Sequence, residues 1–235
     1  DVAGNFWQLA DGIADDPALV AAGYTTDRLY YNPCSSASNP ACALADPPYP
    51  PLATADAVTA ALRAAVTAGR QLLVYVGHGS PIAWAGNPLL LTASEVEALA
   101  NPDRLTVTLE LTCYTGFFQA PREVALAETL LAARGGAVAT WASSGVSVAR
   151  GHDALARGFL AAVAQPEPAT AGLAAVAGKV ALWTEGAGAY RENLDTFHLF
   201  GDPALRLAAD NESAAPLEIS PVSYTHLRAH ETVLD

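Results

Sequence analysis

Two side chains able to move protons and form acyl bonds each stand at the end of an apolar run. His78 follows "QLLVYV" and lies between Gly77 and Gly79, and Cys113 closes "LTVTLELTC" 35 residues further on. A thiolate is a nucleophile, and an adjacent imidazole can take its proton and return it to a leaving group. Gly77 and Gly79 around His78, and Gly116 shortly after Cys113, leave the backbone free for tight turns and close substrate approach. Backbone N–H groups in such turns are suited to holding a developing oxyanion. This chemistry works only if the two side chains meet, which depends on the elements that carry them.

Strand and helix patterns alternate along the chain. "NFWQLADGIADDPALVAAG" has helical spacing and stops at Gly23, "YTTDRLYYN" has the pattern of a strand, and "TADAVTAALRAAVTAGR" predicts a helix capped near Thr54 or Asp56 and ended by Gly69. The strand "QLLVYV" is followed by the turn "GHGS" and by "LTASEVEALAN", where Thr92 and Glu95 form a capping box. The strand "LTVTLEL", the helix "EVALAETLLAARGG", the strand "AVATWASS", the helix "HDALARGFLAAVAQ", the helix "AGLAAVAGKVALW" and the strand "TFHLFGDPALRL" complete the series. Alternation of this kind predicts an α/β fold, a mainly parallel sheet with helices on both faces. In such sheets ligands bind beyond the carboxyl ends of the strands, so His78 and Cys113, each just past a strand end, are expected on one edge.

"YVGHGS", "LTCYTGFF", "GGAVATWASSG" and "FHLFGDPALRL" together resemble the gingipain-like peptidases, the C25 family of caspase-like cysteine peptidases, over about residues 1–207. The resemblance implies a caspase-like three-layer α/β/α sandwich, N-terminally truncated because the opening strand and its acidic turn are absent. It further implies endopeptidase activity, with His78 as general base and acid, Cys113 as nucleophile, and the backbone N–H groups of Gly79 and Cys113 as the oxyanion site. Trp141, Ser143 and Ser144, at the end of the next strand, would border the substrate pocket. Family members are typically exported bacterial proteins, often with bound calcium as a structural ion, so an extracellular or cell-surface location is implied. No cofactor is required by the chemistry, and no metal ligands are assigned.

Other residues have plainer explanations. His152 opens a helix as "GHDAL", where capping accounts for Asp153 and exposure for the histidine. His198 precedes a Gly-Asp-Pro turn, and Asp202 is the hydrogen-bonding residue of that turn. Trp84 and Trp141 read as core or crevice aromatics, apart from the pocket role that the resemblance implies for Trp141. Glu110 shares its parity with Thr106, Thr108 and Thr112, as in a strand with one polar face, and is structural.

Composition bounds the remaining classes. The chain has 235 residues, 51% of them hydrophobic, enough for the core of one α/β domain. Twelve basic against twenty-four acidic residues give a net charge of −12, which opposes binding to nucleic acid or anionic membrane. No apolar stretch is long enough for a membrane span. Cys34 and Cys42 share a short Pro/Ser/Asn-rich loop and are a disulfide candidate in an exported protein, whereas Cys113 has no sequence-local partner. Residues 1–208 form the expected peptidase domain and 209–222 a linker or the start of a following domain. Residues 223–235, "SYTHLRAHETVLD", lose the Ala/Gly character of the rest and read as a non-native tail. The expected partner is a peptide or protein substrate, with additional domains in the parent protein. Two other readings use the same residues: an inactive caspase-like module of a surface protein, and a thiol acyltransferase or transpeptidase that accepts an amine in place of water.

Overall fold

The computed structural model describes residues 6–31, 52–86, 88–101, 103–165, 167, 169–186 and 189–207. Cys34, Cys42 and the segments 209–222 and 223–235 lie outside the described residues. The first helical pattern is split. Helix α1 (Phe6–Ala14) stops before Asp16, whose side chain accepts the Ala18 N–H at 2.8 Å and caps α2 (Pro17–Ala21), with Pro17 at the first helical position. The expected strand "YTTDRLYYN" does not form over its described residues: only an isolated bridge joins Tyr31 to Leu52. Helix α3 (Ala55–Thr67) follows, capped by Thr54 and ended by Gly69 at φ +82°.

Strand β1 (Leu72–Val76) then leads to His78. Beyond it is a small antiparallel sheet absent from the sequence reading: β2 (Gly79–Ser80), β3 (Ala83–Trp84) and β4 (Leu91–Thr92). Helix α4 (Ala93–Glu97) carries the expected capping box, with Glu95 accepting the Thr92 N–H at 2.6 Å. Strand β5 (Thr106–Leu111), helix α5 (Leu126–Ala132) and strand β6 (Ala137–Ser143) follow. A 3₁₀ turn (Ala149–Gly151) opens into α6 (His152–Val163), and α7 (Ala171–Gly186), α8 (Arg191–Thr196) and β7 (Phe197–Gly201) end the described fold.

The main sheet has the order β1-β5-β6-β7, with the first three strands parallel and β7 antiparallel to β6. Side chains of α1, α2, α6 and α7 pack with Val107, Leu109, Leu111 and Trp141 on one face. Those of α3, α4 and α5 pack with Leu73 and Tyr75 on the other. The result is three layers, helix, sheet, helix, as expected. Strand β5 departs from the one-sided polar strand expected from its threonines, since all six residues are buried. As a central strand it is covered on both faces, and Thr108 meets its polar demand by donating to Thr140 Oγ1 at 2.8 Å.

Candidate active site

Parallel pairing in register puts the ends of β1 and β5, and the turns that carry His78 and Cys113, next to each other. Val76 pairs with Leu111 at the end of the β1–β5 ladder, and His78 and Cys113 are each two residues further on. The two turns touch. A side chain at position 79 would put its Cβ 2.5 Å from Thr112 Oγ1 and 2.9 Å from Cys113 O, so Gly79 is the residue that lets the histidine turn lie against the cysteine turn. Gly116 answers to packing instead: a Cβ there would meet the Phe200 ring at 2.8 Å.

The histidine turn is held from below. Tyr75 Oη donates to the carbonyl of His78 at 2.7 Å and accepts the Ala85 N–H at 3.0 Å, while Ala85 N–H also reaches His78 O at 2.7 Å. The Tyr75 ring stacks on Trp84 at 4.3 Å, and Trp84 Nε1–H donates to Glu110 at 2.9 Å. Trp84 and Glu110 thus have the structural roles expected of them. Burial raises the Glu110 carboxyl to about 7 and holds the Tyr75 hydroxyl above its ordinary range. Since Ala85 pairs with His78, alternation along the β2–β3 ladder makes Gly79/Trp84 the non-hydrogen-bonded pair, with the Gly79 N–H directed away from β3. His78 itself is exposed, with the Phe6 ring edge-on at 5.0 Å.

Cys113 is partly exposed, and the residue after it, Tyr114, has φ +63°, a strained left-handed conformation that aims the turn. Its sulfur sits against the loop that leaves β6. Ser147 N–H points at Sγ at 3.4 Å, Ser147 O lies 3.6 Å away and Ser147 Oγ 3.7 Å away. Ser147 Oγ in turn contacts Thr112 O and His152 Nε2, each at 2.9 Å. The exposed helix-opening histidine expected at 152 is therefore corrected. His152 is 2% exposed, packs on Phe197, and burial pulls it down to about 4. Nothing in its spacing from Cys113 announces this contact, because the path of the loop creates it.

The expected pocket residues are dispersed. Trp141 is fully buried between Phe159 and Phe197, which removes its ring from any surface a substrate could reach. A strand on a covered sheet face puts an aromatic in the core, even near its end. Ser143 Oγ donates to Gly145 O at 3.0 Å, and Ser144 N–H donates to Thr196 O at 2.8 Å, so both serve the loop. His198 packs edge-on against Phe118 on β7, and burial, then Lys179, lower its pKa. A hollow of about 580 Å³ between Thr26–Leu29 and α3 reaches Arg70, before β1 begins, at the opposite end of that strand from His78.

The model of peptidase family C25 matches residues 2–208. A search of curated proteins finds no match. Among solved structures, the complex of Porphyromonas gingivalis RgpB pro- and mature domains matches with a TM-score of 0.66 at 21% identity, over 89% of this chain and 45% of that one. The Arg-specific cysteine proteinase gingipain R (RgpB) matches with a TM-score of 0.61 at 23% identity, over 86% and 43%. The chain thus spans less than half the length of these structures, and the likeness is one of fold.

Proposed function

Because the chain belongs to peptidase family C25, we propose that it hydrolyses peptide bonds as a cysteine-type endopeptidase, with Cys113 as nucleophile and His78 as general base and acid. The supporting observation is that each residue stands two positions past the paired Val76 and Leu111, with the Gly79 backbone close against that of Cys113. His78 takes the thiol proton, and Sγ attacks the carbonyl carbon of the scissile bond. The resulting oxyanion is held by the N–H groups of Gly79 and Cys113. As the C–N bond breaks, His78 gives its proton to the departing amine and a thioester remains. Water, deprotonated by His78, then releases the acid and restores the thiol.

A peptide or protein is the substrate on this reading, and the export typical of the resembled peptidases suggests an extracellular or cell-surface setting. The matched complex of RgpB pro- and mature domains suggests a pro-domain as a partner. A structural calcium ion, as often bound by the resembled peptidases, is part of this reading, and the cleavage chemistry itself calls on no cofactor.

The test is cleavage of a peptide library by the intact protein. Cys113→Ala should abolish turnover, and His78→Ala should reduce kcat by about a thousandfold or more while thermal unfolding stays close to wild type, since His78 is exposed. Retained cleavage in Cys113→Ala would overturn the assignment. Added amine acceptors in the same assay divide hydrolysis from acyl transfer by their products.

A further inference from the structure

The loop after β6 surrounds the Cys113 sulfur with groups from one residue, Ser147, and that residue is held by a buried histidine. The hydrogen-bond arithmetic fixes the roles. Ser147 Oγ has a single proton, and Thr112 O, 2.9 Å away, can only accept it. His152 Nε2, also 2.9 Å from Ser147 Oγ, must then be the donor of that contact. Toward Cys113 the hydroxyl can only accept, while the Ser147 N–H, at 3.4 Å, is a donor aimed at the sulfur. His152 Nδ1 is buried without a hydrogen-bond partner, as expected of the bare lone pair of an Nε2–H tautomer.

The loop itself is clamped on both sides. Asn193, fully buried on α8, accepts the Val148 N–H at 2.7 Å and donates to Val148 O at 2.8 Å. Tyr114 N–H donates to Gly145 O at 2.9 Å, tying the cysteine turn to the start of the same loop. Such over-determination fits a group whose orientation matters more than its charge.

We propose that Ser147 and His152 are a positioning pair that holds the Cys113 sulfur at the crevice, with His152 as a neutral Nε2–H donor and not as a second base. The pair rests on the reading of Cys113 as the nucleophile. His152 is poorly suited to proton abstraction, because its buried site disfavours the imidazolium that a base must become. It acts on the sulfur only through Ser147. Losing its donor frees the hydroxyl to turn, slackens the loop and takes the Ser147 N–H off the sulfur.

The test uses two variants of the intact protein and one spectroscopic signature. His152→Phe keeps an aromatic against Phe197 and removes the donor, while His152→Gln restores an N–H near the Nε2 position. Iodoacetamide labelling at neutral pH, followed on the Cys113 peptide by mass spectrometry, should be slower in His152→Phe by about tenfold, with His152→Gln within about threefold of wild type. On peptide substrate, His152→Phe should lower kcat by a similar factor and leave KM nearly unchanged. Nitrogen NMR of the wild type should show His152 as the neutral Nε2–H tautomer between about pH 5 and 8, a reading that survives if a variant fails to fold. A His152 that titrates near its ordinary value, or equal labelling rates in folded His152→Phe and wild type, would overturn the pair. If labelling and NMR agree with the proposal while wild type and variants cleave no peptide, the peptidase reading fails and the positioning role stands.

Discussion

Tyr75 does for His78 what Ser147 does for Cys113: a hydroxyl outside the proposed dyad fixes the backbone that carries it. Tyr75→Phe would keep the ring stack on Trp84 and take away the donor to His78 O and the acceptor for Ala85 N–H. Destabilisation of about 1–2 kcal/mol in urea unfolding is expected, with a fall in kcat larger than any change in KM as the histidine turn loosens. The strand-end positions of His78 and Cys113 were legible in the sequence because each residue follows directly on an apolar run. Ser147 and His152 were not. They are 34 and 39 residues beyond Cys113, and their contact arises from a loop path that no periodicity encodes. Tyr75 was hidden in a different way, since a strand tyrosine reads as core and only the fold reveals where its hydroxyl ends.

Most elements with a clear period or cap were read correctly, while the two-residue strands and the break inside the first helical pattern were missed. Helix α3 with its Thr54 cap and Gly69 stop, and the parallel pairing of β1 with β5, follow from spacing and from the helix between the strands. The two-residue strands β2, β3 and β4 are too short to show any period, and "YTTDRLYYN" has strand-forming residues without a ladder over its described part. Trp141 is the core aromatic of the two readings open to it, and its covered sheet face, which a strand pattern does not reveal, is what keeps it from the pocket. Helices α6 and α7 are packed closely enough to give a test at this scale. A Cβ at Gly158 would stand 2.6 Å from Ala177 O and 2.8 Å from Gly178 Cα. Gly158→Leu should therefore force the helices apart and lower stability by about 3 kcal/mol or more, read as a lower urea midpoint. Because α6 begins at His152, labelling of Cys113 should slow in whatever fraction remains folded.

At the scale of the molecule, a chain with net charge −12 and two helix layers spans less than half of the structures it resembles. Two buried groups near the site also set how that fold responds to acid. Unfolding at mildly acidic pH releases a proton from Glu110, held near 7 when folded against an ordinary 4.5, and takes one up at His152, held near 4 against an ordinary 6.5. The Glu110 contribution is lost as pH rises through about 7, and the His152 contribution is lost as pH falls below 6.5 toward 4. Between these limits the two exchanges nearly cancel, and wild-type stability should be almost flat for this pair. Single substitutions would expose the slopes: Glu110→Gln should leave a protein that weakens as pH drops below 6.5, and His152→Gln one that weakens as pH rises from 4.5 to about 7. Each slope should be about 1.4 kcal/mol per pH unit at most, measured by urea unfolding across the range, and parallel curves for all three proteins would refute the coupling. A buried acid and a buried base of opposite proton demand thus make the fold around the cysteine indifferent to a pH change that either alone would register.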